Sequence, residues 1–184
     1  MEYKELIERY SNYIINIYKV GSSVLPWLKN PNDEDYAVYI NCTDSKVKNE
    51  LKKHNPQNGH YIVRDLTKKQ HPKIYSYQTH FLLLLYGEDL EFNKYDIFEN
   101  EQEYKQYLIR YCSIRQYTPE RKLWYHILTA IYLFDNKGYF ITDDQAENIQ
   151  LCHDNKMTLE LYDYIKTRLN EWEKDIPKTE LGIE

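Results

Sequence analysis

The first residues of the chain follow a helical pattern that changes to an extended one. Apolar side chains recur at helical spacing over residues 2–17, which predicts an amphipathic helix. They are Leu6, Ile7, Tyr10, Ile14 and Ile17. A short strand over residues 17–20 is expected to follow and to end at Gly21. Residues 24–32 contain two prolines, so we expect a loop there.

Extended segments and a lysine-rich helix come next. Residues 35–42 alternate and are rich in Tyr, Val and Ile, which predicts a strand, and residues 60–66 have the same character. Between them, Thr43 offers an N-cap for a helix that ends near Lys53. Residues 74–86 fit a buried helix, although a segment of this length is also compatible with a strand.

From about residue 99 onward the pattern is helical. One helix is expected near residues 99–115, and the next follows Thr118-Pro119-Glu120, with Pro at its first helical position. Thr142 and Gln145 fit a capping box that opens a third helix, and Thr158 caps the last. The fold class is therefore α+β, with a mixed sheet flanked by helices and then a C-terminal helical bundle.

The predicted domain boundary lies where the pattern changes. Residues 1–95 would form the α/β domain and residues 96–184 the helical domain. We expect the two halves to pack against each other, with a substrate cleft between them. The tyrosine-rich helices are compatible with a homodimer.

Composition narrows the classes of function. The formal net charge of −5 lacks the basic footprint of a general nucleic-acid binder, so a nucleic-acid acceptor is disfavoured. Three widely spaced cysteines argue for reduced thiols and against a disulfide framework. The N-terminus is charged, and the apolar run at residues 81–85 is too short to cross a bilayer. We therefore expect a soluble, cytoplasmic protein without a membrane partner.

The candidate chemistry lies in residues 19–40, "KVGSSVLPWLKNPNDEDYAVYI". Alternation along a strand places Asp33 and Asp35 on one face, where two carboxylates can bind a common divalent cation such as Mg²⁺. Just upstream, Gly21 permits a tight bend, and Ser22 and Ser23 offer hydroxyl and N–H groups to phosphate oxygens. Together these groups indicate a site for a nucleoside triphosphate. Alternatively, the glycine and serines form only a turn, and the acidic residues a solvated loop end.

Gly-Ser, a loop and then Asp-x-Asp leading into an apolar strand resembles the nucleotidyltransferase superfamily that includes DNA polymerase β. The resemblance implies that Asp33 and Asp35 hold Mg²⁺ and that Asp65, on the next strand, completes the second metal site or accepts a proton. Asp65 could instead pair with Arg64 or Lys68 on the surface. The segments "LLLLYGEDL" and "WYHILTAIYLFDNKGYFITDDQAENIQ" are similar to small antibiotic nucleotidyltransferases. Glu34 departs from the pattern, because relatives usually have an apolar residue there.

This resemblance implies an adenylyltransferase-type enzyme. It would transfer a nucleoside monophosphate from an NTP, with ATP as the expected donor, to an acceptor hydroxyl and release pyrophosphate. The acceptor could be an aminoglycoside-like antibiotic, which would make the protein a resistance enzyme. One alternative is a minimal nucleotidyltransferase antitoxin that attaches AMP to a partner protein. Another is a non-catalytic protein of the same fold that binds a nucleotide or a partner.

Overall fold

The computed structural model describes residues 2–31, 33–42, 44–65, 76–89, 95–114 and 122–176. The chain divides into two compact units, which are Met1–His71 with Gln78–Lys94, and Pro72–Tyr77 with Tyr95–Glu184. The predicted domains, 1–95 and 96–184, stay a prediction, since compactness does not show that either part folds by itself.

The first unit contains a four-stranded mixed sheet. Its strands are β1 (Ile14–Val20), β2 (Glu34–Ile40), β3 (Gly59–Asp65) and β4 (Leu83–Tyr86). They lie in the order β3-β2-β1-β4, with β1 antiparallel to both β2 and β4, and with β2 parallel to β3. Helix α2 (Ser45–Lys53) lies between β2 and β3 in sequence, because parallel strands require a crossover connection.

One face of this sheet is covered by helix α1 (Tyr3–Tyr10) and by α2. Leu6 of α1 and Leu51 of α2 are fully buried against it. The sheet contributes the remaining buried members of this core, which are Ile14, Ile17, Tyr36, Val38, Ile40 and Tyr61. The opposite face carries a smaller buried group of Tyr18, Ala37 and Tyr39. The strand alternation therefore assigns odd-numbered residues of β2, including Asp35, to the face without these helices.

The predicted helix over residues 2–17 is too long. Helix α1 ends at Tyr10, and β1 begins at Ile14 rather than at residue 17. A register shift between Ile14 and Asn16 interrupts the regular pairing of β1 with β2. Such a bulge lets Ile14 and Ile17 enter the same core although they are three residues apart. The helical spacing of apolar residues in the sequence therefore extends into residues that form a bulged strand.

Two further local predictions are corrected. Residues 76–81 form a 3₁₀ turn and residues 83–86 form β4, so the buried helix predicted over residues 74–86 is wrong in its described part. Residues 83–86 form a strand because pairing with β1 provides hydrogen-bond partners for the backbone N–H and C=O groups of β4. Helix α2 is capped by Asp44, whose side chain accepts from the N–H of Lys46 at 2.8 Å. Thr43, the predicted cap, lies outside the described residues.

The regular elements in the described part of the second unit are all helices. Its helices are α3 (Glu101–Ile114), α4 (Lys122–Asn136), α5 (Asp143–His153) and α6 (Leu159–Asp175). Helix α4 packs against α5 and α6, and α3 packs against α6. The predicted caps at Thr142 and Thr158 are confirmed, and Gln145 completes a capping box with Thr142. Residues 118–120, the predicted start of α4, lie outside the described part of the chain.

The prediction of an α+β fold with a mixed sheet and a helical C-terminal part is thus confirmed. Among the described residues, no helix is both long enough and apolar enough to span a bilayer.

Candidate active site

The turn after β1 passes directly beside the carboxylate of Asp35. Val20, the last residue of β1, pairs with Asp35 of β2, and Gly21 then turns the chain with a positive φ of 78°. A Cβ on Gly21 would lie only 3.2 Å from Asp35 Oδ2. Glycine fits here for two reasons, because the backbone is in the left-handed region and because the carboxylate occupies the space of a side chain.

The two serines have different surroundings in this turn. Residues 21–24 form one turn of 3₁₀ helix, in which Ser22 is buried and its carbonyl accepts from the N–H of Leu25 at 3.2 Å. The hydroxyl of Ser23 donates to the carbonyl of Val20 at 3.2 Å. Since this hydroxyl hydrogen closes the turn, Ser23 would offer a phosphate its backbone N–H more readily than its side chain.

Asp33 and Asp35 lie together, whereas Glu34 is engaged elsewhere. Glu34 accepts a hydrogen bond from Lys19 at 2.5 Å and another from the hydroxyl of Tyr36 at 2.7 Å. These two bonds, led by that from Lys19, lower the pKa of Glu34. Glu34 is therefore a satisfied, charged residue of the strand entrance, and it does not join the pair of aspartates.

Asp35 is the electrostatically unfavourable member of the pair. Burial raises its pKa, and the nearby charge of Asp33 raises it further. Contact with His60 lowers this pKa in part, but the buried Oδ1 atom of Asp35 has no well-formed hydrogen bond, since the Nδ1 of His60 lies 3.4 Å away. A buried, unsatisfied carboxylate oxygen is costly unless a cation or a donor compensates it. Asp35 is thus the residue that a bound cation would stabilise most.

His60 is the third member of this cluster, and the sequence reasoning missed it. The parallel register places His60 of β3 beside Asp35, and its Nδ1 lies 3.4 Å from Asp35 Oδ1. Asp33, Asp35 and His60 can each offer one ligand atom, and these atoms lie within 4.8 Å of one another. The sequence signal nearest to His60 is the Asn58-Gly59 turn before β3, but this turn does not define the register of β3 with β2.

The sequence predicts that Asp65 lies near Asp33 and Asp35, but its backbone is at the other end of β3. Its backbone pairs with Ile40, five residues beyond the pairing of Asp35 with His60. Since a parallel strand rises about 3.3 Å per residue, Asp65 lies roughly 16 Å along β3 from His60. The side chain of Asp65 is outside the described part of the structure, so its role stays a prediction.

A cavity of about 420 Å³ opens beside Asp33, and Asp35 is not one of its lining residues. Three carboxylate residues line it, namely Glu2, Asp33 and Glu34. Its other lining residues are Pro31, Tyr36, Pro56, Gln57 and Asn58. The excess of acidic side chains favours a cationic or hydroxyl-rich occupant over a free anion.

The donor set fits a divalent cation. Asp33 and Asp35 supply hard oxygen donors, and Mg²⁺ takes one or two carboxylates and completes its shell with water and phosphate oxygens. The Gly21 turn lies beside the carboxylate of Asp35. Phosphates bound to a cation on this carboxylate would therefore lie next to the turn.

Comparison with known proteins supports the fold. No family model and no curated protein sequence matches this chain. Its structure is similar to the crystal structure of spectinomycin adenyltransferase AAD(9) from Enterococcus faecialis with ATP and spectinomycin, with a TM-score of 0.58 and 17% sequence identity. The similarity covers 92% of this chain and 87% of that one. The chain thus has the nucleotidyltransferase fold that the Gly-Ser and Asp-x-Asp resemblance predicted.

Proposed function

We propose that this protein is a Mg²⁺-dependent adenylyltransferase that transfers AMP from ATP to an acceptor hydroxyl. The observation that carries the proposal is the pair of Asp33 and Asp35, with a buried unsatisfied oxygen on Asp35, directly beside the Gly21 turn. Two neighbouring carboxylates, one of them partly buried with only a weak ion pair to His60, oppose folding unless a cation compensates them.

The reaction forms one bond and breaks one. The acceptor oxygen attacks the α-phosphorus of ATP, the bond from that phosphorus to the β-phosphate bridging oxygen breaks, and pyrophosphate leaves. The hydroxyl proton passes to a base or to solvent. Bound Mg²⁺ supplies electrostatic stabilisation of the entering and leaving oxygens.

The chain's own residues hold and orient the reactants. Asp33 and Asp35 would ligate the metal, and Gly21, Ser22 and Ser23 would hold the β- and γ-phosphates through the turn. A third group would complete the metal set or accept the proton; the sequence predicts Asp65 for this role, although its backbone lies roughly 16 Å along β3 from His60. Positioning the two reactants in line is itself a large part of catalysis of this kind.

The acceptor that the cavity favours is a cationic polyol such as an aminoglycoside-like antibiotic. Glu2, Asp33 and Glu34 line the cavity, and amino groups of an acceptor would pair with Glu2 and Asp33, since the carboxylate of Glu34 already binds Lys19 and Tyr36. The structurally similar AAD(9) was crystallised with ATP and spectinomycin, which agrees with this choice. Antibiotic resistance is the biological role that follows from such an acceptor.

A transfer assay tests this proposal. The protein is incubated with labelled ATP, Mg²⁺ and a panel of aminoglycosides and related antibiotics, and both product and pyrophosphate are measured. We expect Asp35→Asn to lower the rate by about 10²-fold or more, because it removes a metal ligand. The matched control is Glu50→Gln on the exposed surface of α2, which should keep the wild-type rate. Full activity in Asp35→Asn would contradict the proposal.

Thermal unfolding distinguishes the alternative functions. ATP with Mg²⁺ should raise the Tm of the wild-type protein but not that of Asp33→Ala or Asp35→Ala. Stabilisation without turnover of any acceptor would favour a non-catalytic nucleotide-binding protein. Transfer of label to a co-purifying protein would favour the partner-modifying alternative. No stabilisation by ATP and divalent ions would remove the basis of the proposed function.

A further inference from the structure

We infer that His60 is the third protein ligand of the metal site and that it makes the site prefer a divalent transition-metal ion such as Mn²⁺ over Mg²⁺. The inference rests on the proposed function and concerns the same site. The class of metal follows from the donor set, in which the imidazole of His60 takes the place of the third carboxylate that the sequence predicts.

The position of His60 follows from the parallel pairing of β2 and β3. Glu34 pairs with Gly59 and Asp35 with His60, and the N–H of Glu34 donates to the carbonyl of Asn58 at 2.9 Å. A Cβ on Gly59 would lie 1.7 Å from the carbonyl oxygen of Glu34, so only glycine allows this close approach. The register is therefore fixed immediately before His60, which places the imidazole beside Asp35.

The contact between His60 and Asp35 has the spacing of neighbouring metal ligands. The two facing atoms, Nδ1 and Oδ1, are 3.4 Å apart, and Oδ1 has no hydrogen-bond partner in the described part of the structure. Oxygen ligands bound side by side at about 2.1 Å from one Mg²⁺ lie roughly 3 Å apart, and longer bonds widen this spacing. At 3.4 Å this contact is longer than a well-formed N–H···O hydrogen bond, and a cation bound by both atoms would take the place of the weak ion pair.

Burial in the core does not account for this side chain. The His60 side chain is 67% exposed, so it contributes little to the core. Asp33 and Asp35 together with His60 form a set of two carboxylates and one imidazole within 4.8 Å. The set is compact enough to share one ion after small side-chain rotations.

The chemistry of the imidazole sets the preference. Mg²⁺ is a hard ion that favours oxygen ligands, whereas first-row transition ions bind imidazole nitrogen more strongly than Mg²⁺ does, Mn²⁺ by the smallest margin. Replacing one of three oxygen ligands by nitrogen therefore strengthens transition-metal binding more than it strengthens Mg²⁺ binding. The site remains able to bind Mg²⁺ through the two aspartates, which is sufficient for the proposed reaction.

Direct metal binding tests the inference without any measurement of turnover. Binding of Mn²⁺ is followed from the loss of the free-ion electron paramagnetic resonance signal, and Mg²⁺ affinity is measured by its competition with Mn²⁺. The proteins compared are the wild type, His60→Gln, the control His80→Gln, and Asp65→Asn. Circular dichroism and thermal unfolding establish that each variant is folded.

We expect the wild type to bind Mn²⁺ at least about tenfold more tightly than Mg²⁺. His60→Gln should weaken Mn²⁺ binding about tenfold and change Mg²⁺ binding much less, while His80→Gln matches the wild type. An unchanged ratio of the two affinities in folded His60→Gln would overturn the inference, and so would a loss of binding confined to Asp65→Asn. If the wild type binds both ions but His60→Gln has no effect, only this inference fails. If the wild type binds neither ion, even with ATP, the proposed function fails with it.

Discussion

Two consecutive residues of the chain, Glu34 and Asp35, have opposite electrostatic environments. Glu34 is half-exposed and receives hydrogen bonds from Lys19 and Tyr36, which lower its pKa. Asp35 is largely buried, its pKa is raised by burial and by Asp33, and one of its oxygens is unsatisfied. Alternation of side chains along β2 is the cause of this difference, because it turns neighbouring carboxylates to different faces. Only the second carboxylate is maintained at a cost to stability.

Removing the charge of Asp35 should therefore stabilise the metal-free protein. In the presence of a chelator, we expect Asp35→Asn to raise the free energy of unfolding by about 1 kcal/mol, which is a few degrees in Tm. The adjacent substitution Glu34→Gln is the control and should not raise the Tm, since Glu34 is already compensated by Lys19. A Tm for Asp35→Asn at or below that of the wild type would show that this carboxylate is not strained.

At the scale of single elements, short-range hydrogen bonds define where several helices begin. The Thr142 side chain accepts from the N–H of Gln145, and the Gln145 side chain accepts from the N–H of Thr142 at 3.0 Å. Gln145 also exchanges hydrogen bonds with the side chain of Asn136, near the end of α4. The capping box thus both opens α5 and ties it to the preceding helix.

This cap should have a measurable effect on stability. We expect Thr142→Ala to lower the free energy of unfolding by about 1 kcal/mol, because the N–H of Gln145 loses its acceptor. Thr142→Ser retains the hydroxyl oxygen and should stay within a few tenths of a kcal/mol of the wild type. Chemical denaturation followed by circular dichroism measures both variants. An equal loss in the two variants would assign the effect to the methyl group of Thr142 and not to the cap.

At the scale of the whole molecule, the helical unit buries two histidines, His126 and His153, that the proposed chemistry does not use. His126 of α4 is buried, its Nδ1 lies 3.0 Å from the hydroxyl of Tyr77, and its ring contacts that of Tyr125 at 3.9 Å between centroids, tilted by 33°. Burial, and to a smaller extent the charge of His153, lowers the pKa of His126 to about 3. His153 is itself buried, against Tyr125.

The buried imidazole predicts an acid-sensitive protein. An unfolded histidine titrates near pH 6.5, so the contribution of His126 is fully present above that pH and is lost as the pH falls toward 3. Within this window the loss approaches about 1.4 kcal/mol per pH unit. His126→Gln cannot titrate, and its unfolding free energy should therefore fall less steeply between pH 6.5 and 4.5. Parallel pH profiles of the two proteins would contradict this assignment.

How far the sequence could predict this molecule depended on the range of the interactions involved. Features that depend on contacts within a few residues could be predicted from residue type and spacing. They are the Gly-Ser turn, the paired aspartates, the helix caps at Thr142 and Thr158, and, through the pattern of helices and strands, the α+β class. The extent of α1 and the nature of residues 76–86 were misjudged, since a bulge and a strand pairing decided them.

By itself, the sequence determined that two carboxylates would share a strand face beside a glycine turn, because backbone alternation and the freedom of glycine are local properties. Only the tertiary structure decided that His60, and not Asp65, would stand next to Asp35. Parallel strands are joined by a crossover whose length does not specify their register, and here the close approach of Gly59 to Glu34 sets it.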